Sequence, residues 1–190
     1  ILKMKEKTIL SNPIIIMSGG LGKRLEPYTK ILPKGLMPIG REPIIKMIMD
    51  EFYKNRFNNF NVILNYYGKM FEGYFFKHKL DYDINFFHEK KKLGTVGYLS
   101  KFKKKYDKTI FLTNCDILLK VNYKEILKYH ERSKNFLTIC ASFKKFKVPY
   151  GICSINKKSS LTKMIEKPEM NFLVNTGFYL IAPEALKFLP

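Results

Sequence analysis

The chain has 190 residues, a formal net charge of +19 and a hydrophobic content of 46%, enough apolar material for the core of one ordinary domain and too much for intrinsic disorder. No apolar run approaches the roughly 18 residues of a membrane-spanning helix, so a soluble protein with no membrane partner is expected. Cys115, Cys140 and Cys153 have neither disulfide-framework nor metal-ligand spacing, and no signal-peptide core follows Lys3 and Lys5, which points to a reducing cytoplasm.

The charge excess is nearly all lysine, the arginines being Arg24, Arg41, Arg56 and Arg132. A basic surface attracts polyanions by counterion release. An AT-biased coding sequence gives the same composition whatever the function, however, and the lysines are scattered with no aromatic-basic stripe. Nucleic acid is therefore not the expected partner.

In chain order, residues 1–12 are polar and read as a linker from an absent upstream segment. Pro13 to Met17 is a short continuous β-branched run, the pattern of a strand buried on both faces. A loop punctuated by Pro27, Pro33 and Pro38 follows. Pro43 opens a helix whose apolar residues Ile44, Ile45, Ile48, Met49 and Phe52 recur at helical spacing through Tyr53. Asn61 to Asn65 reads as a strand, Lys69 to Lys77 as a helix and Ile84 to His88 as a strand. Thr95 to Tyr106 reads as a solvated amphipathic helix, Thr109 to Thr113 as a buried strand and Tyr123 to Lys134 as a helix. Strand alternating with helix predicts a parallel sheet with right-handed crossovers. From Phe136 onward the pattern changes to strands with short links at Leu137 to Phe143, Gly151 to Ile155, Leu161 to Ile165 and Phe172 to Ile181, an antiparallel extension. The fold class expected is α/β, a Rossmann-like mixed sheet.

A glycine-rich turn after a buried first strand lets backbone N–H groups approach a phosphate. Gly19, Gly20 and Gly22 before Lys23 and Arg24 are of this type, although they match neither the Walker loop nor the dinucleotide fingerprint. Asp116 follows a parallel strand, where open α/β sheets place their ligands. The histidines His78, His88 and His130 have no metal spacing and are expected at the surface or at strand ends. Cys115 is expected to be a small buried residue beside Asp116.

The continuation is more specific. Met17 to Lys30 (Met-Ser-Gly-Gly-Leu-Gly-Lys-Arg-Leu-Glu-Pro-Tyr-Thr-Lys) with Pro33 to Gly40 (Pro-Lys-Gly-Leu-Met-Pro-Ile-Gly) closely resembles the signature of the sugar-1-phosphate nucleotidylyltransferases. Leu93-Gly94-Thr95-Val96-Gly97 looks like that family's Gly-Thr-Ala-Gly segment, and Asn114-Cys115-Asp116 like its metal-binding strand end. Tyr150-Gly151, Glu166-Lys167-Pro168 and Asn175-Thr176-Gly177 match its sugar-site segments in order. The similarity covers residues 13 to about 185 and is greatest to the mannose- and hexosamine-1-phosphate guanylyltransferases. Lys23, Val96 and Ser18 depart from the usual threonine, alanine and alanine, and none of these changes removes a charge the chemistry needs.

The resemblance implies the nucleotide-diphospho-sugar transferase fold, with residues 13–190 as a nucleotidyltransferase domain, 13–135 binding nucleotide and 136–190 binding sugar phosphate. The implied reaction is attack by a hexose 1-phosphate on the α-phosphorus of a nucleoside triphosphate, releasing pyrophosphate. Catalysis of that kind is mostly positioning and charge neutralisation. Arg24 would hold the leaving phosphates, Lys34 the α-phosphate and the attacking phosphate, and Lys167 the sugar phosphate. Met17, Ser18, Gly19, Gly20, Gly22, Lys23, Gly94 and Thr95 would complete the nucleotide site. Gly151, Glu166, Asn175 and Thr176 would meet the sugar. Asp116 would bind Mg2+, and the family's second metal aspartate lies in a segment after the last residue here. Glu89, five residues before Gly94, stands where pyrimidine-transferring members carry glutamine. Its carboxylate can accept from guanine N1–H and N2–H2 together, which favours GTP. The resemblance also leaves open a homo-oligomer, an upstream regulatory module of paired CBS repeats, a UTP- or dTTP-dependent glucose-1-phosphate transferase, and a silent regulatory subunit.

Overall fold

The computed structural model describes residues 8–20, 22–89, 94–103 and 105–189, with Thr95 and Val96 described by backbone alone. Most of the expected linker, together with Leu21, Lys90 to Leu93 and Lys104, lies outside the described residues. The chain divides into two compact units, Ile1–Ile139 with Gly177–Pro190, and Cys140–Thr176.

In the larger unit, β1 (Ile14–Ser18) is buried along its whole length. A 3-10 turn at Lys23–Leu25, two more at Tyr28–Lys30 and Lys34–Leu36, and a hairpin of β2 (Pro38–Ile39) and β3 (Glu42–Pro43) fill the proline-punctuated loop. Then come α1 (Ile44–Lys54), β4 (Asn59–Leu64), α2 (Gly68–Phe76), β5 (Asp83–His88), the short α3 (Gly94–Gly97), β6 (Ile110–Asn114) and α4 (Tyr123–Arg132). Two long strands, β7 (Leu137–Lys147) and β10 (Glu169–Ile181), run on into the smaller unit. Among the described residues the main sheet has the order β5-β4-β1-β6-β10-β7.

β1 is parallel to β4 on one side and to β6 on the other, β4 is parallel to β5, and β10 is antiparallel to β6. The mixed sheet, parallel first and antiparallel at its end, is thus the architecture that the alternation of elements predicts. Because side chains alternate across a strand, Ile15 and Met17 join one core cluster with Ile63, Leu99, Phe102 and Leu112. An aromatic group gathers around Phe52 of α1, stacked on Tyr123 at 4.2 Å and on Phe178 at 5.9 Å, with Phe111 edge-on at 5.4 Å. Asn122 caps α4 by accepting from the backbone N–H groups of Lys124 and Glu125, so that helix starts where the side chain takes up otherwise unpartnered donors.

Two expectations need correction. The helix over 95–106 is short and broken: α3 gives way to a 3-10 turn at Tyr98–Phe102. The Ser100 hydroxyl donates to the Gly97 carbonyl at 2.8 Å, a local bond that competes with helix continuation. Tyr106 leaves the helical path to donate to Asn61 Oδ1 at 2.8 Å. Lys105, exposed as expected, carries its ammonium 4.4 Å over the Phe87 ring. His130 is the second correction. It is only 2% exposed, its Nδ1 is 2.8 Å from Thr138 Oγ1, and burial lowers its pKa. A lone polar residue on the inner face of an amphipathic helix gives no sequence signal of burial. His78 and His88 are exposed, as expected.

The smaller unit contains the inner parts of β7 and β10 with a hairpin of β8 (Ile152–Ile155) and β9 (Leu161–Ile165), paired antiparallel. Among the described residues no helix is long and apolar enough to cross a membrane.

Candidate functional site

Strand register builds the site. Ser18 pairs with Leu64, Leu64 with His88, and Met17 with Asn114. The residues that follow each strand therefore leave the sheet at one edge: Gly19 from β1, Asn65 from β4, Glu89 from β5, and Cys115 with Asp116 from β6. This is the carboxyl edge of the parallel strands, where the outward ends of successive strands leave a crevice.

A cavity of about 410 Å3 opens at that edge. Its wall takes in the backbone turn (Met17, Gly19, Gly20, Gly22), the charged groups Lys34, Glu89 and Asp116, and Gly94, Asn114 and Cys115. The structure thus gathers from five separate segments most of the residues assigned to nucleotide. Gly22 has φ 63°, and a Cβ there would sit 2.7 Å from Thr29 Cγ2, so both backbone and packing call for glycine. The Thr29 hydroxyl donates to the Gly22 carbonyl at 3.1 Å and ties the turn to the loop behind it.

Lys34 Nζ forms an ion pair with Asp116 Oδ2 across the cavity floor, with both side chains partly exposed. Glu89 is 8% exposed. Its backbone N–H donates to the Leu64 carbonyl at 2.7 Å, and its Oε2 accepts from Asn65 Nδ2 at 3.4 Å. Burial raises the pKa of Tyr98, and the negative charge of Glu89 raises it further. Cys115 is buried as expected. Desolvation pushes its thiol up to about 11 despite a hydrogen bond with Ser18, so it is protonated and unreactive at neutral pH.

Other assigned residues stand elsewhere. Ser18 is buried beneath the turn, and Lys23 and Arg24 are exposed on the 3-10 turn beside it, outside the cavity wall. Thr95 is described by backbone alone. In the smaller unit Lys167, with φ 45°, lies 3.9 Å from Glu166. The Glu166 Oε2 would be 2.9 Å from a Cβ on Gly151, so those two segments meet. Thr176 directs its hydroxyl to the Cys140 carbonyl at 2.7 Å, and Asn175 is exposed.

Sequence reasoning passed over Asn65 and left Asn114 out of the residues assigned to ligands. The signal for both was available: each is a polar residue at the end of a buried strand. Asn114 also packs against Gly177, whose φ is 82° and where a Cβ would lie 2.8 Å from the Asn114 amide nitrogen.

Among the described residues no group of three or more His, Cys, Asp or Glu side chains could hold a metal ion by protein ligands alone. Asp116 nevertheless suits Mg2+, which takes one or two carboxylates together with phosphate oxygens and water.

Residues 14–190 match the family model described as nucleotidyl transferase. The chain is 28% identical over 185 residues to a mannose-1-phosphate guanyltransferase of Debaryomyces hansenii, covering 92% of this chain and 51% of that one. It is 26% identical over 184 residues to the mannose-1-phosphate guanyltransferase of Saccharomyces cerevisiae, covering 92% and 51%. The chain thus spans about half the length of these relatives. Among solved structures, HddC from Yersinia pseudotuberculosis superposes with a TM-score of 0.72 at 20% identity, covering 94% of this chain and 80% of that one. The same protein complexed with GMP-PN gives 0.71. These structures share the nucleotidyltransferase fold.

Proposed function

The chain belongs to the nucleotidyl transferase family, and on that premise we propose that it transfers a nucleoside monophosphate from GTP to a hexose 1-phosphate, mannose 1-phosphate or an amino sugar 1-phosphate. The products are an NDP-sugar, for glycan biosynthesis, and pyrophosphate. The observation that carries this reading is the convergence of the glycine turn, Lys34, Glu89 and Asp116 on one cavity.

In the reaction a phosphate oxygen of the sugar 1-phosphate bonds to the α-phosphorus, and the bond from that phosphorus to the α,β-bridging oxygen breaks. Pyrophosphate leaves with that electron pair. The glycine turn presents backbone N–H groups to the triphosphate. Lys34 neutralises charge at the α-phosphate as a point cation, and Arg24, on the exposed turn, grips the β- and γ-phosphates with its planar fork. Lys23 adds a second cation there. Asp116 would hold Mg2+, which would supply neutralisation of phosphate charge. Glu89 accepts from the guanine N1–H and N2–H2 pair, while Gly94 and Thr95 border the base.

Residues 13–135 bind nucleotide in this reading, and 136–190 bind the sugar phosphate. Lys167 pairs with the sugar phosphate, Glu166 and Asn175 meet hydroxyls, and Gly151 and Thr176 complete the sugar-binding set. Nucleic acid and membrane are not partners.

The test is pyrophosphate release by the full-length protein with Mg2+, each nucleoside triphosphate and a panel of hexose 1-phosphates. Turnover with GTP and mannose 1-phosphate or an amino sugar 1-phosphate is expected. Activity with UTP or dTTP and none with GTP would overturn the assignment of Glu89. A folded protein silent with every pair would point to a regulatory subunit.

A further inference from the structure

We infer that Asn65 is a positioning residue for base selection, orienting the Glu89 carboxylate toward the purine edge; the inference rests on the guanine reading of Glu89 proposed above. The two residues reach each other through the sheet. Leu64 pairs with His88 in register, so Asn65 and Glu89 are the first residues beyond neighbouring parallel strands. The backbone bond from Glu89 N–H to the Leu64 carbonyl, at 2.7 Å, continues that ladder one step past β5. Asn65 Nδ2 then donates to Glu89 Oε2 at 3.4 Å.

Glu89 and Gly19 belong to the cavity wall, and Asn65, half-buried, is not among the residues of that wall. A Cβ on Gly19 would lie 3.2 Å from Glu89 Oε2 and 3.4 Å from Asn65 Cβ. The missing side chain at Gly19 leaves room for the carboxylate where it lies, while the Asn65 Cβ would be in ordinary contact.

The chemistry gives this contact a purpose. A glutamate has three rotatable side-chain bonds, and two coplanar acceptors meet the N1–H and N2–H2 pair only when the carboxylate plane lies in the plane of the base. An amide donor anchored at a strand end holds one oxygen and so fixes that plane. Asn65 selects the base through Glu89 and does not itself touch the nucleotide.

The experiment measures equilibrium binding of GTP, ITP and UTP, and Mg2+-dependent pyrophosphate release, on the full-length protein and on Asn65→Ala, Asn65→Ser and Glu89→Gln. ITP lacks the 2-amino group and so reads the second acceptor. Loss of one hydrogen bond predicts that Asn65→Ala lowers the GTP-to-ITP affinity ratio by about three- to tenfold, raises KM for GTP in proportion, and leaves kcat within about twofold. In the Glu89→Gln background the same substitution is expected to change nothing further, because its effect runs through the carboxylate. Asn65→Ser keeps a donor hydroxyl and is expected to retain part of the preference. It also stands in if Asn65→Ala does not fold, as judged by circular dichroism.

An unchanged GTP-to-ITP ratio in folded Asn65→Ala would overturn the inference, as would an equal fall in kcat with every nucleotide or an additive loss in the double variant. If the unsubstituted protein binds GTP selectively but releases no pyrophosphate, the transferase reading fails while the positioning role stands. If it binds GTP no better than ITP, the positioning role fails whatever the turnover.

Discussion

Lys34 and Asp116, 82 positions apart in sequence, are ion-paired on the floor of the cavity. Their side chains are 36% and 26% exposed, a setting in which a single pair adds little to stability. In the proposed reaction each has another partner: phosphate for the lysine and Mg2+ for the aspartate. Asp116→Asn is therefore expected to cut pyrophosphate release by at least about a hundredfold while leaving the thermal midpoint nearly unchanged. A variant that keeps its turnover would remove Asp116 from the machinery.

Gly22 tests the glycine turn. With φ 63° and a Cβ aimed at Thr29 Cγ2, Gly22→Ala strains the backbone and pushes on the loop that carries Lys34. The expected cost is about 1–3 kcal/mol of stability together with weaker triphosphate binding. Denaturant unfolding and nucleotide titration measure the two separately. Gly20→Ala is the control, because a Cβ at Gly20 meets nothing within 4 Å.

His130 makes stability depend on pH. Its burial holds the imidazole neutral, with a pKa below the ordinary 6.5. The unfolded chain takes up this proton near 6.5 and the folded chain only at lower pH, so the unfolded state binds more protons in that window. The contribution is intact above about 6.5 and is lost as pH falls through that value toward the lower folded pKa. Urea unfolding at several pH values is expected to show less decline between about pH 7 and 5 in His130→Gln than in the parent. Identical slopes would contradict it.

The cap of α4 is a purely structural test. Asn122→Ala removes the acceptor for the Lys124 and Glu125 N–H groups and is expected to cost about 1 kcal/mol, read from the urea midpoint, with nucleotide binding unaffected. Asn122→Asp, which keeps an acceptor, is expected to recover most of the loss.

Much of this was legible from residue patterns. The β-branched run Ile14 to Ile16 announced a strand covered on both sides, and the alternation from there to Tyr123 announced a parallel sheet. The glycine turn and Asp116 could be placed because their chemistry and strand-end positions are local. Glu89 could be marked only against the motif beginning at Leu93. What local pattern could not show was pairing: which strand lies beside which decides that Asn65 meets Glu89 and that Lys34 meets Asp116. The break in the 95–106 helix escaped notice because helical spacing of Val96, Leu99 and Phe102 survives a change to 3-10 geometry. His130 escaped because burial of one imidazole depends on a partner, Thr138, contributed by the next strand.

The register that aligns Ser18, Leu64 and His88 makes strand length a ruler for the chemistry. Removing one residue from within β4, Val62 for instance, would draw Asn65 back by about 3.3 Å and turn it to the opposite face of the sheet. The core could absorb a conservative exchange at Val62, but not a change in the count. Exchange of a side chain at Asn65 or Glu89 leaves this register intact, whereas inserting or removing one residue within β4 or β5 shifts it.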